Sequence, residues 1–274
     1  YMRNQFLITL DSLRWDIFKK AEAPFLKSLG LWKKAWSPAA YTFPAHMSFF
    51  VGKIPQTFDG TDFYDSTAIR MKKGRAIRNE QFWRLSNPEA KRKAAFNVGG
   101  KNIIEGFREQ GYLTIGTGAM NWFNPELPAG KYLSDPFEKF RFFDGPNAAS
   151  HESAEEQIQW VQECVSSAKG QPIFVFINFG ETHHRFLHKG CDWRDDQNPY
   201  GDARKCKTRQ RKCLEYLDRQ IRNLSSLIED SDLVICGDHG EAMGEGGLWG
   251  HGFVHPKVME VPLFISTDKD ERIK

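Results

Sequence analysis

The sequence predicts an α/β fold, a three-layer sandwich whose central, mostly parallel sheet is flanked by helices, and three observations carry that expectation. Phe6 to Leu10, Ile173 to Phe179 and Leu233 to Cys236 are continuous apolar runs bounded by polar residues or glycine, the pattern of strands buried on both faces. Each runs straight into ionisable residues: Asp11, then Glu181-Thr182-His183-His184, then Asp238-His239. The stretches between them carry helical periodicity, and strands alternating with helices build a parallel sheet.

The first strand leads through a helix to Ser37-Pro38-Ala39-Ala40-Tyr41-Thr42-Phe43-Pro44-Ala45-His46-Met47-Ser48. That segment reads as a helix start, with Thr42 as N-cap and Pro44 in the first turn. Residues 58–97 fit the alternation poorly. They hold the most basic stretch of the chain, Arg70, Lys72, Lys73, Arg75 and Arg78 followed by Arg84, Lys91, Arg92 and Lys93. A charged, solvated excursion is expected there, with a surface for an anionic substrate as the alternative. Beyond it, Ile103 to Gln110 reads as a helix, Gly111 to Gly116 as a fourth short strand and Ala154 to Val165 as a further helix. Leu214, Leu217, Ile221, Leu224 and Ile228 recur at spacings of three and four, which predicts one amphipathic helix whose Arg and Lys residues lie mostly in solvent.

With 274 residues, 40% of them hydrophobic and 14% aromatic, the chain is expected to form one domain over 1–274 with a substantial core. A net charge of +3 is too mild to argue for nucleic acid or an anionic membrane. No apolar run approaches the ~20 residues of a membrane span. The five cysteines form no Cys-x-x-Cys pair, and Cys164 and Cys236 sit in apolar runs as buried thiols would. A reducing, cytoplasmic setting is expected, with one oxidised pair among Cys191, Cys206 and Cys213 left open. The sequence is silent on oligomeric state.

The chemistry concentrates where strands end. In Asp232-Leu233-Val234-Ile235-Cys236-Gly237-Asp238-His239-Gly240-Glu241 a short strand closes on a carboxylate beside an imidazole, at the edge where open α/β sheets place ligands. That pair suits a divalent cation, although Asp-His-Gly also makes an ordinary tight turn. A hydroxyl at the start of the Thr42 helix faces a field that favours both its alkoxide and a bound phosphoryl group.

Leu7-Ile8-Thr9-Leu10-Asp11-Ser12-Leu13-Arg14-Trp15-Asp16, Thr42-Phe43-Pro44-Ala45-His46, Glu181-Thr182-His183-His184-Arg185-Phe186 and Gly237-Asp238-His239-Gly240-Glu241 with Trp249-Gly250-His251-Gly252 occur in this order. Together they resemble the motifs of the sulfatase branch of the alkaline phosphatase superfamily, as does the strand-like Val261-Pro262-Leu263-Phe264-Ile265. The resemblance implies an alkaline-phosphatase-like sandwich. It also implies a metal held by Asp11, Asp238 and His239, with Thr42 as a nucleophile that touches it. Two carboxylates with one imidazole suit Mn²⁺ or Zn²⁺, and also Mg²⁺ or Ca²⁺. A second metal would need about three further ligands, for which Glu181, His184, His188 and His255 are the candidates, and one essential metal is favoured.

The departures from that branch shape the expected function. Sulfatases carry Cys or Ser, converted to formylglycine, in Cys/Ser-x-Pro-x-Arg, where this chain has Thr42 and His46. Threonine does not yield that aldehyde, and threonine nucleophiles belong to the phosphodiesterase and phosphotransferase branches. The sulfatase Lys after the fourth strand is missing, with Gly118 near its place, and His251 stands at a position commonly held by Lys. The reading is therefore a metal-dependent hydrolase of phosphate esters acting on a small anionic ester. Thr42 is its nucleophile, His183 and His251 serve leaving-group protonation, and His46 and His184 contact substrate. The alternatives are a sulfuric-ester hydrolase, a phosphotransferase, or a metal-binding scaffold without catalysis.

Overall fold

The computed structural model describes residues 2–52, 70–72, 75–77, 101–143, 153–194 and 197–267. The charged excursion at 58–97 lies outside them apart from a short antiparallel hairpin that pairs Arg70–Lys72 with Arg75–Ile77.

Seven strands form the main sheet: β1 (Gln5–Leu10), β2 (Lys33–Trp36), β3 (Leu113–Gly118), β4 (Lys139–Phe142), β5 (Ile173–Phe179), β6 (Asp232–Gly237) and β7 (Glu260–Ser266). Their order is β2-β7-β6-β1-β5-β3-β4. The five strands from β6 to β4 are parallel, and β7 and β2 are added antiparallel at one edge. The predicted sandwich and its three buried strands are thus present. The fourth strand begins two residues later than the glycine boundaries indicated, at Leu113.

Alternation along each strand divides the core in two. Phe6, Ile8 and Leu10 of β1, with Ile173, Val175, Ile177 and Phe179 of β5, share one cluster with residues of four helices, α1 (Trp15–Lys20), α2 (Pro24–Ser28), α6 (Ala154–Ser166) and α7 (Ala203–Ile221). Phe174 and Phe176 point the other way, into an aromatic cluster with α3 (Thr42–Val51), α4 (Ile103–Glu109) and α5 (Pro128–Ser134). A sheet covered on both faces requires apolar side chains at every position, which is why its central strands read as unbroken hydrophobic runs.

The predicted amphipathic helix is interrupted. α7 ends at Ile221, a 3₁₀ turn spans Arg222–Leu224, and α8 (Ser225–Ile228) resumes the apolar stripe. Arg209 departs from the solvated face: it is 6% exposed, donates to the Gln197 carbonyl at 2.7 Å and lies over the Trp193 ring. Thr42 is not the N-cap of α3. Tyr41 holds the extended cap position without a side-chain bond, and Thr42 is the first helical residue. All five cysteines are free thiols. Among the described residues no helix is long and apolar enough to cross a membrane.

Arg14 ties the turn after β1 to the segment after β6. Its side chain is 1% exposed, and it binds Asp16 through two bonds of 2.8 and 2.7 Å, Glu245 at 2.9 Å and the Glu241 carbonyl at 3.1 Å. Burial alone would raise the Asp16 carboxyl, but the bonds and charge of Arg14, aided by Lys257, hold it well below the ordinary carboxylate range. Because Asp16 and Glu245 retain some solvent, Arg14→Met is expected to cost about 3 kcal/mol, the low end for a broken buried pair. The native state binds fewer protons at Asp16 than the unfolded chain does. The contribution of the pair is therefore present above the ordinary value of 3.8 and is lost as pH falls below it. Denaturant melts between pH 6 and 3 check this: Asp16→Asn flattens part of the acid-side loss.

Candidate functional site

β1 lies between β5 and β6 in register, so that Leu10 pairs with both Phe179 and Gly237. The residues that follow are therefore brought side by side. Asp11 continues the ladder with a bond from its N–H to the Phe179 carbonyl at 2.9 Å, and Asp238 stands one step beyond β6. Ser12 then turns the chain with φ 60°, a left-handed conformation uncommon for a residue with a Cβ. This turn aims its N–H at Asp238 Oδ1, 3.0 Å away, while its hydroxyl donates to Asp11 Oδ1 at 3.2 Å.

Asp11, Asp238 and His239 are all 0% exposed, and one ligand atom from each lies within 4.8 Å of the others, the one such group among the described residues. The His239 ring donates from Nδ1 to the Gly240 carbonyl at 2.8 Å, which fixes the tautomer and turns Nε2 toward the two carboxylates. Nε2 is 3.7 Å from Asp11 Oδ1 and 3.5 Å from Asp238 Oδ2. Asp238 Oδ2 is buried without a hydrogen-bond partner. Burial, then the neighbouring Asp238 charge, drives the Asp11 carboxyl well above its usual range. Burial likewise pushes Asp238 up to about 7 despite the N–H bonds from Ser12 and His239. Two crowded carboxylates, an imidazole lone pair and an orphaned buried oxygen fit a divalent cation.

Thr42 Oγ1 joins this group, 3.3 Å from Asp11 Oδ2 and 3.3 Å from His239 Nε2, with the residue fully buried. It is placed by α3, whose first turn also presents the helix's positive end. His46, one turn on, sits beneath it. Its Nδ1 donates to the Thr42 carbonyl at 2.7 Å, and its Nε2 meets the Thr9 hydroxyl at 2.9 Å. Asn178 in turn donates to that hydroxyl at 2.9 Å. Phe49, Phe123 and Phe176 surround the ring, and burial holds its pKa down to about 3, so it is neutral. The structure thus places His46 behind Thr42 with both ring nitrogens engaged.

His251 and His183 border the cluster. The His251 ring lies 4.4 Å from that of His239 and 5.1 Å from that of His183. His184 lies farther out, bonded through Nε2 to Asn198 and packed on Tyr200 with ring centroids 3.9 Å apart. His188 stacks on Tyr216, His255 caps α9 (Pro256–Met259), and Glu181 accepts from the Ala154 N–H. The candidate ligands for a second metal are therefore dispersed rather than gathered.

Several supports escape sequence reasoning. Gln210 of α7 bridges the carbonyls of Ser12 and Thr182, each at 2.9 Å, while Thr182 donates to the Asp11 carbonyl at 2.6 Å and Ser37 to that of Asp238. Glu241 accepts from His251 Nδ1 at 2.7 Å. The nearest signal was Glu241's place within Gly-Asp-His-Gly-Glu; nothing local marked the others. At Gly118 an added Cβ would lie 2.6 Å from the Phe123 ring, so aromatic packing fills the space a side chain would take there.

Comparison with known proteins agrees with this architecture. The periplasmic domain of a phosphoethanolamine transferase from Campylobacter jejuni superposes with a TM-score of 0.65 at 13% identity, covering 98% of this chain and 81% of that one. A phosphonate monoester hydrolase from Silicibacter pomeroyi gives 0.61 at 15% identity, with 97% and 68% covered. The soluble domain of a lipooligosaccharide phosphoethanolamine transferase from Neisseria meningitidis gives 0.58 at 12%, with 97% and 77% covered. No curated protein matches the chain in sequence. The family model described as Sulfatase matches residues 3–272, and a match over nearly the whole chain, on a fold shared with alkaline phosphatase superfamily structures, establishes that the chain belongs to the sulfatase family.

Proposed function

We propose that this chain is a metal-dependent enzyme acting on phosphate esters, with Thr42 as its nucleophile. Members of its superfamily are hydrolases or transferases. The observation that carries the reading is the position of Thr42 Oγ1, 3.3 Å from both a carboxylate and an imidazole of the buried ligand group and at a helix N-terminus. Threonine in place of the formylglycine precursor argues for phosphorus over sulfur, and the packed Gly118 removes one of the cations a sulfate dianion would need.

Asp11, Asp238 and His239 would hold the cation, Mn²⁺ or Zn²⁺ in preference to Mg²⁺ or Ca²⁺, with Thr42 beside it. When bound, such an ion polarises an ester oxygen and lowers the pKa of a neighbouring hydroxyl. Thr42 Oγ1, its proton released to solvent water, forms a bond to phosphorus in line with the leaving oxygen, and the ester P–O bond breaks. The departing oxygen takes a proton from His251 or His183. The helix N-terminus steadies the phosphoryl oxygens through this exchange. Water, or an alcohol in its place, then gives its proton to the histidine that protonated the leaving oxygen and bonds to phosphorus, and the Thr42 Oγ1–P bond breaks to free the phosphoryl group and restore Thr42. His46 acts in this scheme by holding the first turn of α3 rather than by touching substrate, and His184 contacts the distal part of the substrate.

The test is turnover of p-nitrophenyl phosphate, phosphodiester, phosphonate and sulfate esters by metal-stripped protein with each cation restored singly. Thr42→Ala is expected to lower phosphorus-ester turnover on the order of 10³-fold or more; unchanged turnover, or hydrolysis of the sulfate ester alone, overturns the proposal. Alcohols added as competing acceptors separate transfer from hydrolysis by product. Binding is read independently from thermal melts. A cation at a hundredfold excess over its Kd adds about 2.7 kcal/mol to stability, and Asp238→Asn is expected to abolish most of that rise.

A further inference from the structure

Gly244, Gly246 and Gly247 adopt positive φ at the tip of a small hairpin that pairs Ala242–Met243 with Trp249–Gly250. Its register sets Gly250 opposite Ala242, so one step further His251 faces Glu241. The Glu241 backbone is fixed at both ends, its N–H on the Lys257 carbonyl at 3.0 Å and its own carbonyl taking a bond from Arg14 at 3.1 Å. The Glu241 side chain is 0% exposed, with Oε2 2.7 Å from His251 Nδ1 and Oε1 bonded to the Tyr200 hydroxyl. Tyr200 also packs on His184 and on Trp249.

A carboxylate only accepts hydrogen bonds, so Nδ1 of His251 carries a proton and Nε2 is the nitrogen turned from Glu241. The ring then lies beside His239 and His183 with its orientation fixed by the bond behind it. From this geometry we infer that Glu241 and Tyr200 form a positioning pair that locks the tautomer and ring plane of His251, and so set its ability to protonate the leaving oxygen. Tyr200 extends the chain of contacts to His184, which links occupancy of the outer substrate-binding face to the placement of the proton donor. The inference rests on the proposed reaction, in which the imidazolium of His251, its Nδ1–H held by Glu241, gives its Nε2 proton to the leaving oxygen as the P–O bond breaks and is left as the neutral Nδ1–H tautomer.

The test compares two esters of the same phosphoryl group, one with p-nitrophenol and one with a simple alkyl alcohol as leaving group, in the metal-loaded protein. An alkoxide needs a proton as it departs, whereas p-nitrophenolate is already a stable anion. Glu241→Ala is expected to lower kcat on the alkyl ester on the order of 10²-fold and on the nitrophenyl ester only roughly three-fold, with KM little changed. Tyr200→Phe, which keeps the ring packing and removes one bond, gives the same skew to a smaller degree. It serves as the informative variant if Glu241→Ala does not fold. Glu241→Gln keeps an acceptor for Nδ1 and restores part of the alkyl-ester rate. Equal losses on both esters in Glu241→Ala and Tyr200→Phe, with Thr42-dependent turnover intact, overturn the positioning role. Loss of Thr42 dependence in the parent protein instead overturns the reaction on which the inference rests.

Discussion

Two carboxylates buried side by side are the constraint on which the rest of this structure depends. Asp11 and Asp238 have no solvent exposure, and burial raises the energy of their charged forms, each more so for the other's presence. The surroundings answer with directed donors, from the Ser12 and His239 N–H groups to the hydroxyls of Ser12 and Thr42. One oxygen of Asp238 stays outside those bonds, in a place that suits a cation. The supports farther out serve the same arrangement. Gln210, Thr182 and Ser37 hold the backbone carbonyls around the aspartates, and Arg14 joins the two segments that carry them.

What the sequence made legible was whatever local pattern determines. The unbroken apolar runs of β1, β5 and β6 identified strands covered on both faces, and the ionisable residues behind them marked one convergent edge. Asp11, Thr42, Asp238 and His239 were visible because motif order placed them on those ends, and all four come together. Contacts between distant segments were not legible. Thr42 read as a helix cap because hydroxyls commonly cap, whereas here Asp11 and His239 draw its side chain toward the ligand group and leave the cap to Tyr41. Periodicity ran through Leu224 and Ile228 without a trace of the 3₁₀ turn at Arg222, since a tightened turn keeps its apolar side chains on the core. His46 read as a substrate contact, and only the aromatic cluster around it revealed a neutral, buried ring.

That aromatic cluster also bears on how the chain departs from the sulfatase motif. Phe123 occupies the space beside Gly118, and with Phe176 it flanks His46. The floor beneath Thr42 is therefore largely apolar, crossed by the ordered bonds from Asn178 through Thr9 to His46 and the α3 backbone. A fixed cation placed there would be desolvated without a partner. The packing and the altered motif thus act together, making the support of Thr42 a matter of shape and neutral hydrogen bonds rather than charge.

The sheet itself serves as a ruler. Because Asp11 and Asp238 lie one residue beyond paired positions on adjacent parallel strands, their separation is governed by the interstrand spacing, about 4.8 Å in any sheet, and not by loops. Sliding either strand by one residue would turn every side chain on it to the opposite face and withdraw its apolar residues from the core cluster they fill. The distance between the two carboxylates is consequently as inflexible as the fold. The loops above the strand ends, which carry residues such as Tyr200 and His184, lie outside that measure.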